Sequence, residues 1–197
     1  MLKNITKVVA LSALFCAMSS AQAVIGTGWT SSSPSYTTQI EGCGYIAGFT
    51  FKLTCSTLGN ASGYQRAERR YANMTKDTQF EGTVKVNSLT GDRISLKQVF
   101  SQPSGPWMIL GVKKSGSSLV LYEVEGGATL GTMAVGGSVR VNTLTTGTST
   151  AVYLNGTKVE TKTGGTKPFY DKFGTYATSS GKGPVWATWS GVAFWTK

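Results

Sequence analysis

Gln79-Phe80-Glu81-Gly82-Thr83-Val84-Lys85-Val86-Asn87 alternates Phe80, Val84 and Val86 with Glu81, Thr83 and Lys85. A period of two puts the first set on one face of an extended chain and the second on the other, so this segment is predicted as a half-buried strand. Working outward from it, similar strands are expected near 93–100, 107–114, 118–125, 137–143, 150–154, 157–163, 168–176 and 185–195. Asn155-Gly156 between two of them is a two-residue hairpin signal, and Ser115-Gly116 and Gly126-Gly127 mark further reversals. Residues 24–38, rich in Gly, Ser and Thr with Pro34, read as an irregular lead-in. No stretch after residue 24 sustains a helical apolar period, so the expected fold is an all-β, single-domain sandwich or jelly roll. Five tryptophans and eight phenylalanines are expected to do much of the core filling, Trp107, Phe194 and Trp195 among them.

The first residues read as an export signal: Lys3 and Lys7, an apolar run from Val8 to Met18, and the small-x-small site Ala21-Gln22-Ala23. That run is too short to span a bilayer as a helix. Cleavage after residue 23 leaves residues 24–197 as the mature chain, which is expected to be secreted or periplasmic and monomeric. It removes two lysines and no acids, so the formal charge falls from +10 to +8. Such a charge favours an anionic partner. The lysines are scattered singly and no nucleic-acid motif is visible, which argues against nucleic acid. Charge alone does not choose between nucleic acid, anionic lipid and acidic polysaccharide, and a merely soluble basic surface is also open.

Cys16 leaves with the signal, and Cys43 and Cys55 remain as an even pair in a chain bound for an oxidising compartment, so a disulfide between them is expected. The 197 residues contain no histidine. A histidine-dependent hydrolase triad and a zinc enzyme are thereby excluded, and no metal or organic cofactor is expected. Asn60, Asn73 and Asn155 lie in glycosylation sequons.

Three distant segments carry the chemistry: Arg66-Ala67-Glu68-Arg69-Arg70, Gln98-Val99-Phe100 and Tyr170-Asp171-Lys172-Phe173-Gly174-Thr175-Tyr176. On strands, Arg66, Glu68 and Arg70 share a face, as do Tyr170, Lys172, Gly174 and Tyr176. In this order, Arg-x-Glu-x-Arg, Gln-x-x and Tyr-x-Lys-x-Gly-x-Tyr resemble the alginate-lyase superfamily, that is, the family-seven polysaccharide lyases and the related glucuronan lyases. The resemblance implies a jelly roll whose concave sheet binds a polyuronate and cleaves it by β-elimination. It implies Arg66, Glu68, Arg70, Gln98, Lys172 and Tyr176 as site residues; of these Tyr176, Gln98 and Arg66 are expected to be catalytic, and Glu68, Arg70 and Lys172, with the adjoining Tyr170 and Phe100, to bind substrate.

Two positions depart from the family. Phe100 stands where histidine is common, and Arg69 where leucine is preferred, which puts a charge on the face meant for the core. There is also a conflict of parity, because Gln98 and Phe100 share their alternation with Ile94 and Leu96, so a bulge or a partly apolar groove wall is required.

The chemistry is coherent without the family. Removing the C5 proton of a uronate requires neutralising its carboxylate, for which Arg66 and Gln98 are suited. A tyrosine beside such cations is expected to have a lowered pKa, so that Tyr176 takes the proton as phenolate and returns it to the leaving oxygen, while Glu68 orients the arginines. Two rival functions fit the same residues: a non-catalytic carbohydrate-binding jelly roll, and a secreted basic protein that binds cell envelopes as an effector.

Overall fold

In the computed structural model, which describes residues 24–59, 64–102 and 104–197, the regular elements are all strands. The expected signal segment and Asn60 lie outside the described residues. In chain order the strands are β1 (Thr30–Ser32), β2 (Tyr36–Glu41), β3 (Gly44–Ala47), β4 (Thr50–Leu53), β5 (Gln65–Tyr71), β6 (Thr78–Leu89), β7 (Arg93–Ser101) and β8 (Gly105–Ser115). They continue as β9 (Ser118–Glu123), β10 (Thr129–Ala134), β11 (Ser138–Thr146), β12 (Ser149–Leu154), β13 (Thr157–Thr163), β14 (Phe169–Ala177) and β15 (Val185–Thr196). Two antiparallel sheets form a sandwich of jelly-roll type. One runs β13-β12-β11-β6-β15-β4-β3, with β1 added against β15, and the other runs β10-β9-β8-β7-β14-β5-β2.

The alternation of Gln79 to Asn87 holds at its apolar positions, where Phe80, Val84 and Val86 are fully buried. On the other face Lys85 is exposed, but Gln79 and Glu81 are buried, Glu81 accepting from Asn142 on the neighbouring β11. The hairpin at Asn155-Gly156 has positive φ at both residues (51° and 87°), as a type I′ turn needs. The lead-in is more regular than its composition suggests. Thr30–Ser32 pairs with the end of β15, and β2 begins within it at Tyr36. These are exposed edge strands held by the ladder, so they have no apolar period to betray them.

The core is mostly Leu, Val, Ile and Met, with an aromatic cluster behind the motif strand β14. Phe173 packs against Phe51, Tyr71, Phe80 and Trp189 at centroid distances of 5.1–5.7 Å. It sits between Lys172 and Gly174 in sequence, so the motif strand is anchored from behind by burial of its alternate residues. Each such ring contributes about 1.5–3 kcal/mol. The expected disulfide is present, Cys43 to Cys55, clamping the ends of the β3–β4 hairpin.

Gly174 is required by backbone approach. Its φ is +147°, and a Cβ there would lie 2.2 Å from the Ala67 carbonyl oxygen and 2.8 Å from the Glu68 Cα. Gly174→Ala is therefore expected to push β14 off β5 and to cost about 2–4 kcal/mol, read as a shift in the urea midpoint. A cost below half a kcal/mol would show that the two strands separate freely.

Candidate active site

The cross-strand register assembles the three motifs. Lys172 stands opposite Arg70 on one side and Gln98 on the other; Tyr176 faces Arg66, Gly174 faces Glu68, and Tyr170 faces Phe100. All eight expected residues lie on the outward face of the seven-stranded sheet. The parity conflict is resolved by a bulge: between Ser95 and Lys97 the register to β8 slips, leaving Leu96 unopposed. Ile94, Leu96 and Val99 can then all face the core while Gln98 faces out.

Arg66, Gln98, Phe100, Lys172 and Tyr176 line one cleft of about 660 Å³, walled by Tyr64, Pro106, Ile109 and the segment Thr178 to Ser180. The Arg66 guanidinium lies over the rings of Tyr64 (4.2 Å) and Tyr176 (5.0 Å), and its Nε is 3.6 Å from the Glu41 carboxylate. The Gln98 side-chain amide donates to Glu68, leaving its second N–H for a ligand. Lys172 Nζ is 3.9 Å from the other Glu68 oxygen and 4.8 Å from the Phe100 centroid. Phe100 stacks on Tyr170 at 4.6 Å and 10°, and the Arg70 guanidinium lies 4.0 Å from the Tyr170 ring centre.

Two details of the expected chemistry need correction. Among the described residues Glu68 holds Gln98 and Lys172 rather than the arginines; Arg66 is paired with Glu41 and Arg70 donates to Asn73. The Tyr176 pKa is raised, not lowered. Burial outweighs the Arg66 charge, and Glu68 adds to the rise. Burial likewise raises Tyr170 and Glu68 and lowers Lys172. Arg69, the other departure, does point to the core side. It is accommodated at the sandwich edge, over the rings of Tyr36 and Phe49 and donating to the Gly48 carbonyl at 2.7 Å.

No protein-family model and no curated protein matches the sequence at a significant level. Solved structures do match. An alginate lyase of Pseudomonas aeruginosa superposes with a TM-score of 0.59 at 16% identity, over 81% of this chain and 88% of that one. A marine family-7 alginate lyase of Zobellia galactanivorans gives 0.60 at 18%, over 78% and 80%. A tyrosine-to-phenylalanine variant of another family-7 alginate lyase, in complex with a product, gives 0.56 at 16%, over 78% and 85%. The chain has the alginate-lyase fold.

Within that fold, the residues that sequence reasoning missed are Tyr64, Glu41 and Asn73. Tyr64 was within reach, since it extends the Arg66-Glu68-Arg70 alternation by one step. Glu41 and Asn73 reach the arginines only through the β2–β5 register and the turn after β5.

Proposed function

We propose that the protein is an exported polysaccharide lyase that cleaves an acidic polyuronate, alginate-type polymannuronate or glucuronan, by β-elimination. The observation that carries this is the gathering of Arg66, Gln98, Lys172 and Tyr176 in one cleft on a fold shared with alginate lyases. Arg66, Lys172 and the free N–H of Gln98 receive the uronate carboxylate and stabilise the charge that develops on it. Tyr176, as phenolate, takes the C5 proton. The C5 electrons form the C4=C5 double bond as the C4–O bond breaks, and the departing oxygen takes its proton from Tyr176. Glu68 fixes the amide and the ammonium, and Glu41 and Tyr64 fix Arg66. Screening the mature protein against a panel of polyuronates for the ultraviolet absorbance of the new double bond tests the reading; no product from any of them would refute it.

With phenylalanine at position 100, one residue on one side of the sugar handles both proton steps. That is easiest when H5 and O4 lie on the same face, as in D-mannuronate and D-glucuronate but not in L-guluronate. Rates on polymannuronate or glucuronan are expected to exceed those on purified polyguluronate by about tenfold or more. Equal rates would overturn the single-tyrosine scheme.

The Phe100–Tyr170 stack also suits a non-catalytic carbohydrate-binding protein. Retention of polymer without release of unsaturated products would favour that reading.

A further inference from the structure

The outer face of the other sheet carries a row of side chains with no part in the cleft. Tyr45 on β3, Lys52 on β4 and Trp186 on β15 are direct cross-strand neighbours, in that order. Both rings are exposed, Tyr45 at 48% and Trp186 at 42%. Lys52 Nζ lies between them, 5.7 Å from the tyrosine centroid and 4.5 Å from the indole. Single exposed rings are ordinary on a protein surface, but apolar groups gathered in one patch mark a binding surface. Here the hairpin that presents two of the three residues is closed at its ends by the Cys43–Cys55 disulfide, so the row is held rigidly at the sheet edge. No acidic residue occurs in β3, β4 or β15. The next outward row beside it offers Thr50, Thr188 and the exposed Lys85, again without an acid.

Strands two apart in a sheet are separated by roughly 10 Å, close to the advance of two sugars along an extended 1,4-linked chain. A pyranose presents an apolar C–H face that stacks on an aromatic ring. Two rings at that spacing therefore suit alternate sugars, and the ammonium between them suits the carboxylate of the sugar in the middle. We infer that Tyr45, Lys52 and Trp186 form a second, non-catalytic binding site for an acidic polysaccharide chain on the face opposite the cleft. This deepens the reading of the protein as a polyuronate lyase: such a site keeps a long polymer on the enzyme between cuts, and adds nothing for a fragment too short to reach both faces.

The test compares Trp186→Ala, Tyr45→Ala and Lys52→Gln with wild type in native gels cast with long-chain polymannuronate, alongside turnover of tetramannuronate. Trp186→Ala and Tyr45→Ala are expected to raise the Kd for the polymer by about fivefold to tenfold and to leave tetrasaccharide turnover unchanged. Lys52→Gln is expected to weaken retardation by polymannuronate and to reduce its dependence on salt. Trp186→Phe keeps a ring and should keep most of the retardation, which separates loss of stacking from loss of folding. Wild-type retardation in both alanine variants would overturn the inference. If wild type releases no unsaturated product from tetramannuronate or from any polyuronate of the panel, the lyase reading fails, while the gel comparison still decides the second site.

Discussion

Tyr176→Phe is expected to abolish elimination, lowering kcat by about 10³-fold or more, because in the proposed scheme one oxygen serves in turn as base and acid. Polymer binding and stability should stay near wild type, since the variant keeps the ring that packs beside Arg66 and Tyr64. The pH dependence follows from the direction of the phenol's shift. Burial raises its pKa above the ordinary value of 10, against the pull of Arg66, so the base form is scarce at neutral pH. The rate kcat/KM should therefore climb through neutrality toward alkaline pH, about tenfold per unit while proton removal limits it, with no inflection of histidine type near 6.5. Arg66→Ala should lower both affinity and kcat. It removes the proposed ligand of the substrate carboxylate and the cation that most opposes the upward shift of Tyr176. Full activity in Tyr176→Phe would refute the mechanism and make Tyr170 the first alternative base.

The second large effect is expected directly behind the cleft. Lys97 and Asp171 point into the core from β7 and β14, are 0% and 3% exposed, and form an ion pair across the two strands. Lys97 Nζ also donates to the Gln98 carbonyl at 3.1 Å and lies 4.7 Å from the Phe80 centroid. Burial lowers the lysine pKa, and the aspartate opposes that fall. Taking one partner away leaves a charge in an apolar interior. Lys97→Met or Asp171→Asn is therefore expected to cost about 3–5 kcal/mol. For a chain of this size that corresponds to a fall in Tm of roughly 10 °C. The double variant Lys97→Met, Asp171→Leu should recover most of the loss, because an apolar pair of similar volume carries no desolvation penalty. Chemical denaturation of the three variants measures this; single substitutions costing less than 1 kcal/mol would show that the pair is not an energetic unit.

Much of the site was legible because strand chemistry is local. The alternation Arg66-Glu68-Arg70 and Tyr170-Lys172-Gly174-Tyr176 placed these candidate side chains on one face, as the register has them, and the histidine-free composition argued against whole classes of mechanism. Gln98 was harder. Its face could not be read from alternation with Ile94 and Leu96, and only the slip at Leu96 turns it outward.

The sequence by itself determined the patterned strands β5 to β9 and β11 to β15, the marked turns, the net basic charge and most of the residues that share a face, because period-two patterning and turn chemistry are encoded within a few neighbouring residues. Strands β1 to β4 and β10 were not legible in this way and are decided by their pairing. Tertiary structure alone decided which strands are neighbours, and hence that Lys172 meets Gln98 and Arg70, that Glu41 rather than Glu68 holds Arg66, and that Lys97 and Asp171 pair out of sight of water. It also decided the direction of the Tyr176 pKa. That direction is a balance between burial and charges brought together from distant strands, and neither quantity exists until the sheets have packed.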